Sequence, residues 1–367
     1  MKILHVIDGF FLAGIENQAF EIIRNYPEDN KSFLLNTNSS IKYTFEKFNS
    51  LKKQKKLIEL KNIKSKFSLQ LIYLVFRYLK KNKIEALIIY PCHKKMIYVV
   101  IAARLAGIEK IFISVQNVVY KKNNFEIYKI KTLFAILNRL NVCFVAASKS
   151  ILSSMQILNI NLKKYEVIYN SCDVTNIQKT TNKIRSFEKK NKEKVITMIA
   201  RLDQIKDHET LLRAFSNLDY SDWKLKIIGE GSKSFDLKRL AKNLGLNPEL
   251  VFCGERTDIP EILSQTNIFA FSTTEAEGFG IVLIEAMAAN LPIIASDVSA
   301  CREILLQGKA GMLVPPADIK AWENSLRELM LSSIKREKLS ENLCNYVQQY
   351  DSHYIVRKWH KLLNSRN

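Results

Sequence analysis

The sequence predicts an α/β protein built from two Rossmann-like halves, each a parallel sheet covered by helices. Three observations predict it. The chain has 367 residues, too many for one ordinary core and suited to two domains of ~150–200 residues. Short apolar runs alternate with helical stretches, as βαβ units require. The alternation pauses over a stretch rich in Lys, Asn and Thr, residues 174–194, and then restarts. Hydrophobic residues make up 47% of the chain, so core material is ample and global disorder is not expected.

The elements follow in order. Lys2–Ile7 reads as a buried strand, followed by a glycine-containing loop and a helix from about Ile15 to Asn25. Ser32–Asn36, Ala86–Tyr90, Lys110–Val115 and Cys143–Ala147 read as further strands, and Lys95–Ala106 as a helix closed by Gly107. Residues 174–194 are expected to link the halves. In the second half Val195–Ile199, Leu225–Ile228, Leu250–Cys253, Ile268–Phe271, Ile293–Ala295 and Met312–Val314 read as strands. The tail places Ile355, Val356, Trp359, Leu362 and Leu363 on one helical face, which calls for a surface to cover. The expected organisation is a first domain over 1–173, the linker, a second domain over 195–350, and a terminal helix over 351–367 packed back on the first domain.

The net charge of +20 implies an anionic partner: nucleic acid, a phosphate-bearing substrate, or an acidic membrane face. Helix-turn-helix, RNP-type and zinc signatures are absent from the sequence, so nucleic acid is the lesser reading. Six cysteines without any Cys-x-x-Cys spacing read as reduced core thiols of a cytosolic protein. The start, MKILHVIDGFFLAG, is too polar at His5 and Asp8 for a signal peptide. No apolar run reaches the ~18 residues that span a bilayer. A cytoplasmic protein is expected, at most peripheral on the inner face of the membrane. Lys52–Lys83 holds eleven basic residues and one acid, Glu59. It reads either as a patch on anionic lipid or as a core helix with a solvated lysine face.

The chemistry gathers in the second half. Ligands of open α/β sheets bind at the carboxyl ends of strands. After Ile268–Phe271 comes a loop with Glu277, Gly278, Phe279 and Gly280, then a helix from Ile281 carrying Glu285. The glycines let backbone approach a ligand, and the helix N-terminus suits a phosphate. Glu285 is placed to accept from two ribose hydroxyls, and Glu277 from a sugar hydroxyl. Read without context, the same acids are a helix cap and a solvated side chain. Arg201 and Lys206, in the loop after Val195–Ile199, can neutralise two phosphates. Gly229 and Glu230, in "IIGEGS", form another glycine loop at a strand end. Arg256 and Thr257 sit where backbone could read a nucleobase edge.

Together these segments resemble the GT-B fold glycosyltransferases, in particular the large retaining group known as family 4. The resemblance covers nearly the whole chain and is strongest over Val195–Pro316. Its pieces are "ARLDQIKDHETLLRAF", "GEG" at 229–231, "CGERTDI" at 253–259, the acid-x7-acid pair Glu277 and Glu285, "AMAANLPIIASDVSACREIL" and "GKAGMLVPPAD". The resemblance implies two Rossmann-like domains facing a central cleft, the first for the acceptor and the second for a nucleotide-sugar donor. It implies that Arg201 and Lys206 bind the donor diphosphate, Glu285 the ribose, and Glu277 with Phe279 and Gly280 the transferred sugar. In the first half Gly14 and Glu16 match the family's Gly-Gly-x-Glu, while Ala13 departs from it. His93 follows a strand where the family often has a histidine, and Gln116 with Asn117 stands in place of a second one.

The expected reaction is retaining sugar transfer from a nucleoside diphosphate to a hydroxyl, the acceptor being a glycan or lipid-linked glycan of bacterial surface polysaccharide such as capsule or O-antigen. Cationic side chains are expected to do a metal's work, so no cofactor or metal is expected. Three other readings stay open at this point: a sugar-nucleotide epimerase, a basic nucleic-acid-binding protein, and an inactive binding subunit. Loss of Lys206 or Glu285 is expected to abolish transfer and to leave the fold intact.

Overall fold

The computed structural model describes residues 1–8, 14–27, 31–37, 53–54, 56–59, 68–90, 92–118, 123–187, 193–219 and 222–365, with backbone only for 14–17 and 68. Two compact units result: Met1–Ser171 with Ser352–Asn367, and Cys172–Asp351.

The first unit is built on seven parallel strands in the order β3-β2-β1-β4-β5-β6-β7. They are β1 Lys2–Ile7, β2 Lys31–Asn36, β3 Leu57–Glu59, β4 Ala86–Ile89, β5 Lys110–Val115, β6 Cys143–Ala146 and β7 Tyr165–Val167. Alternate residues point to opposite faces. Leu4, Val6, Leu87, Ile89, Ile111 and Ile113 pack under the helices Ser68–Asn82, Met96–Leu105, Asn124–Arg139 and Lys149–Ile157. Ile3, Ile7, Ala86, Ile88 and Phe112 pack under Gly14–Asn25 and Ser352–Asn364. Both faces are covered, so the central strands are largely apolar, the buried His5 and Ser114 being exceptions. The terminal helix buries Ile355, Val356, Trp359 and Leu363, and Trp359 meets Phe112 edge to face at 6.4 Å. Edge strands β3 and β7 are three residues each, too short to show a period in the sequence.

The second unit holds five parallel strands in the order β12-β11-β10-β8-β9. They are β8 Lys194–Ile199, β9 Trp223–Ile228, β10 Ile268–Phe271, β11 Ile293–Ser296 and β12 Met312–Val314. Leu250–Cys253, expected as a strand, is instead the end of a helical turn, Pro248–Val251. Asn247 caps that turn and Pro248 occupies its first position, which fixes helical dihedrals. Phe252 forms an isolated parallel bridge to Ile227 of β9.

The expected linker is also corrected. Val174–Phe187 is a helix of the second unit. Its buried positions, Val174, Ile177 and Thr181, share one face at helical spacing. Arg185 donates to the carbonyls of Leu263 (3.3 Å), Ser264 (3.3 Å) and Ala289 (2.9 Å). One guanidinium thus closes the carboxyl ends of two helices, Ile259–Ser264 and Ile281–Ala288. All six cysteines are free thiols, with Cys172 and Cys301 buried. No helix among the described residues is long and apolar enough to cross a membrane.

Candidate active site

In the second unit the loops after β8, β9 and β10 meet at the carboxyl ends of the strands. The first two are laced by backbone bonds: Leu202 N–H to Glu230 O (3.0 Å) and Lys233 N–H to Leu202 O (2.8 Å). Gly229 donates to Gly254 O at 2.8 Å. Its φ is +139°, and a methyl group there would lie 2.1 Å from Ala200 O. A methyl on Gly231 would lie 2.4 Å from Leu202 O. These glycines therefore admit a neighbouring loop, which is a packing reason for "GEG" at this strand end. Glu230 is exposed. Its charge, after burial, raises the neighbouring Glu255 carboxyl.

The loop after β8 is strapped to the loop after β10. Lys206 and Thr273 form an antiparallel bridge, and Thr274 N–H donates to Ile205 O at 3.0 Å. The strap lays the Lys206 ammonium 4.6 Å from the centre of the Phe271 ring and pairs it with Glu277. The Glu277 carboxylate also accepts from Thr273 Oγ1 (3.3 Å) and from the N–H groups of Gly278 (3.2 Å) and Phe279 (3.3 Å). Burial would raise its pKa, but the Lys206 charge and hydrogen bond, aided by Phe279 N–H and Thr273, hold it below the usual carboxylate value. Lys206 and Glu277 were expected to grip different parts of a ligand; they are bonded to each other. The expectation that Lys206 can be removed without touching the fold falls with that, because a buried carboxylate would lose its counter-charge.

Gly280 adopts the left-handed region, φ 84°, and opens the helix Ile281–Ala288 without any side-chain cap. That helix start has the polarity to receive an anion. Glu285 lies half-buried in its second turn. The Phe279 ring is buried against Tyr350, edge to face at 6.0 Å. Its side chain therefore anchors the loop, and the expectation that it meets the sugar is limited to its backbone. Arg201 is 59% exposed and pairs with Asp203 at 3.0 Å. Arg256 forks onto Asp258, and Thr257 beside it is exposed.

The first unit places a second group at the carboxyl ends of β1, β2 and β4. Asp8 receives Thr37 Oγ1 (2.6 Å), Lys95 Nζ (2.5 Å) and His93 Nε2 (3.3 Å). Burial would raise the Asp8 carboxyl; hydrogen bonds from His93, Lys95 and Thr37 and the Lys95 charge hold it well below its ordinary value. His93 was singled out in the sequence, whereas Asp8, Thr37 and Lys95 were not. The available signal was an acid directly after a parallel strand. Gln116, the departure from the family histidine, is buried between Ser114 Oγ (2.6 Å) and the amide of Asn170 (2.8 Å). Gly14 opens its helix, Gly14–Asn25; Ala13 lies outside the described residues, as does the side chain of Glu16. Of Lys52–Lys83, the helix Ser68–Asn82 buries Leu71, Val75 and Leu79 and turns Tyr73, Arg77 and Lys80 outward.

Comparison with known proteins bears on the family and the fold. The family described as "Glycosyl transferases group 1" matches residues 179–345. A Campylobacter jejuni N-acetylgalactosamine-N,N'-diacetylbacillosaminyl-diphospho-undecaprenol 4-alpha-N-acetylgalactosaminyltransferase is 31% identical over 249 residues, 66% of this chain and 65% of that one. The O-antigen chain mannosyltransferase RfbU of Salmonella typhimurium is 26% identical over 198 residues, 53% of this chain and 51% of its own. The chain thus spans less than two thirds of the length of these relatives. The crystal structure of Anabaena HepE in complex with UDP-glucose superposes with a TM-score of 0.84 at 19% identity, covering 100% of both chains. A Rickettsia africae glycosyltransferase superposes with a TM-score of 0.78 at 19% identity over 99% of both. The chain therefore has the fold of these GT-B structures, and residues 179–345 of its second unit match the group 1 glycosyltransferase family.

Proposed function

We propose that the protein is a retaining glycosyltransferase of family 4 type, moving a sugar from a nucleoside diphosphate to a hydroxyl of a lipid-linked glycan in bacterial surface polysaccharide assembly. One observation carries the reading: the Lys206–Glu277 pair lies in the loops that lead to Gly280, the uncapped start of the helix that bears Glu285. The names of the relatives support the acceptor class, and the UDP-glucose complex of HepE makes UDP the first nucleotide to try.

The diphosphate binds at the helix start, with Arg201 and Lys206 beside it. Glu285 holds the ribose, Glu277 with the backbone of Phe279 and Gly280 orients the sugar, and the loops of Gly229 and of Arg256 and Thr257 border the nucleotide. As the glycosidic bond breaks, charge gathers on the departing phosphate, and those cations stabilise that state more than the ground state. Because Glu277 already fixes Lys206, the ammonium need not reorganise during the step. Losing one such contact raises the barrier by ~2.7–4 kcal/mol. The departing phosphate oxygen takes the acceptor's proton, so the reaction needs no separate base and no metal. His93 is assigned to the acceptor side. The protein works in the cytoplasm at the inner membrane face, held there by Lys52–Lys83.

Thermal stabilisation across a panel of nucleotide sugars tests the donor site. A raised Tm with one nucleoside diphosphate series is expected, and no response to any of them would sink the reading. The anomeric configuration of the product then tests retention. An isomerised sugar formed from donor alone would point to an epimerase.

A further inference from the structure

We propose that a polar pocket of the second unit, next to the donor site and separate from it, holds one sugar residue of a neutral glycan. The pocket has a volume of about 420 Å³, within the ~300–1,000 Å³ of small-molecule sites. It opens between the start of His208–Ser216 and one side of Ser234–Asn243, and Thr274 of the strap also lines it. Of the residues assigned to the donor, Lys206 alone lines it, and its ammonium is committed to Glu277. The site goes beyond the transfer reading and does not depend on it.

The charges of the lining are matched within the protein. Asp203 takes Arg201 (3.0 Å) and Ile205 N–H (3.0 Å). Asp207 caps its helix through Thr210 N–H (3.2 Å). Glu209 holds Arg213 (2.8 Å), and Asp236 faces both Arg239 (3.4 Å) and Lys233 (3.9 Å). An ionic ligand would have to compete with these pairs. Hydroxyl groups need not, because a carboxylate keeps spare lone pairs after one or two bonds. Two amides are uncommitted: the side chains of Gln204 and Asn243 are exposed and bond no described residue. An amide both donates and accepts, as the neighbouring hydroxyls of a sugar do. Leu237 and Leu240 add apolar surface from one helix, suited to the C–H face of a pyranose. Among the described residues no aromatic side chain lines the pocket, so a nucleobase would find no ring to stack on.

Saturation-transfer NMR on the full chain tests the pocket, with the methyl glycosides of glucose, galactose, mannose and N-acetylgalactosamine as probes. Each methyl group stands in for the rest of a chain. At least one probe is expected to give a saturable signal. The methyl glucuronide and galacturonide, which add a carboxylate, should bind at least about fivefold more weakly than that probe. Gln204→Ala with Asn243→Ala should weaken it about tenfold, for two hydrogen bonds lost. Both positions are exposed, and a Tm equal to that of the wild type shows that the double variant is folded. Four outcomes would each overturn the proposal: no saturable signal from any neutral glycoside, full retention by the folded double variant, uronides bound as tightly as the neutral probe, or displacement of the probe by UDP-glucose. The last would return the sugar to the donor site. Glycoside binding does not require transfer, and the UDP-induced rise in Tm is measured apart from it. Either reading can therefore fail while the other stands.

Discussion

Each unit sets a lysine against a carboxylate at the carboxyl ends of its parallel strands, and the two pairs are built differently. Lys206 and Glu277 are nearly sealed, with side chains 14% and 9% exposed, and backbone N–H groups complete the acid's shell. Lys95 and Asp8 stay partly open, at 29% and 20%, and share their carboxylate with His93 and Thr37. A sealed pair fixes its members and makes each of them part of the fold. An open pair can exchange partners with water and ligand at little cost. Under the proposed function, the first arrangement suits rigid phosphate capture and the second adaptable acceptor recognition.

The hardest test of this contrast is Lys206→Ala. It should lower stability by ~3–5 kcal/mol, as breaking a buried pair from one side does, and abolish the UDP-induced rise in Tm. A urea melt like that of the wild type would break the contrast at once. Gly229→Ala comes next, with a loss of ~3 kcal/mol, because its methyl would enter the Ala200 carbonyl that the laced loops hold in place. Stability unchanged by that substitution would mean that the loops around the second pair are not tightly packed.

Histidines sharpen the comparison through pH. His5 in the first unit is fully buried, both ring nitrogens lack partners, and burial lowers its pKa to about 3. His208 in the second unit is lowered to about 4, chiefly by burial. The unfolded chain takes up a proton on each as pH falls below 6.5, whereas the folded chain does not until those lower values. Stability is therefore complete above pH 6.5 and is lost as pH falls from there toward 3 and 4. Between pH 7 and 5 each ring should cost about 2 kcal/mol, and His5→Phe should remove its share while keeping the contact with Tyr90. An acid limb unchanged in that variant would show that His5 is not kept neutral. Asp8→Asn should be milder still. It removes the charge that Lys95 and His93 face, costs ~1–2 kcal/mol, and leaves the UDP-induced rise in Tm as it was. Lost UDP binding would mean that the two pairs do not act separately.

The sequence exposed the sealed pair more readily than the open one, for a physical reason. Glu277, Gly280 and Glu285 lie on one loop and one helix, so their spacing carries their geometry. Asp8 and Lys95 are 87 positions apart and meet only because β1 and β4 are neighbours in the sheet. Even the Lys206–Glu277 bond was hidden, since it depends on the strap between two loops. The central strands were legible because both of their faces are buried. The helix Val174–Phe187 was not, because one of its inward positions is a threonine and its anchor, Arg185, works by capping other helices rather than by apolar burial.

Arg201 provides the finest test, since it belongs to the sealed region by position and to the open kind by construction. It is more than half exposed and pairs with Asp203, whose Oδ1 also takes Ile205 N–H at 3.0 Å and so stays in place whatever Arg201 does. An exposed pair of this sort contributes little, so Arg201→Ala should shift stability by no more than ~0.5 kcal/mol. Its effect on the donor should be larger, because a guanidinium that moves from Asp203 to a diphosphate gains charge-assisted bonds in a drier setting. A loss of ~10–100-fold in UDP affinity follows. Asp203→Asn makes the argument two-sided. It keeps the acceptor for Ile205 N–H and removes the charge that competes with phosphate, so UDP should bind as tightly as before or more so. Calorimetry on the two variants decides the matter. If Arg201→Ala binds UDP like the wild type, the diphosphate is held by Lys206 and the helix start alone, and rigid capture needs no mobile arginine.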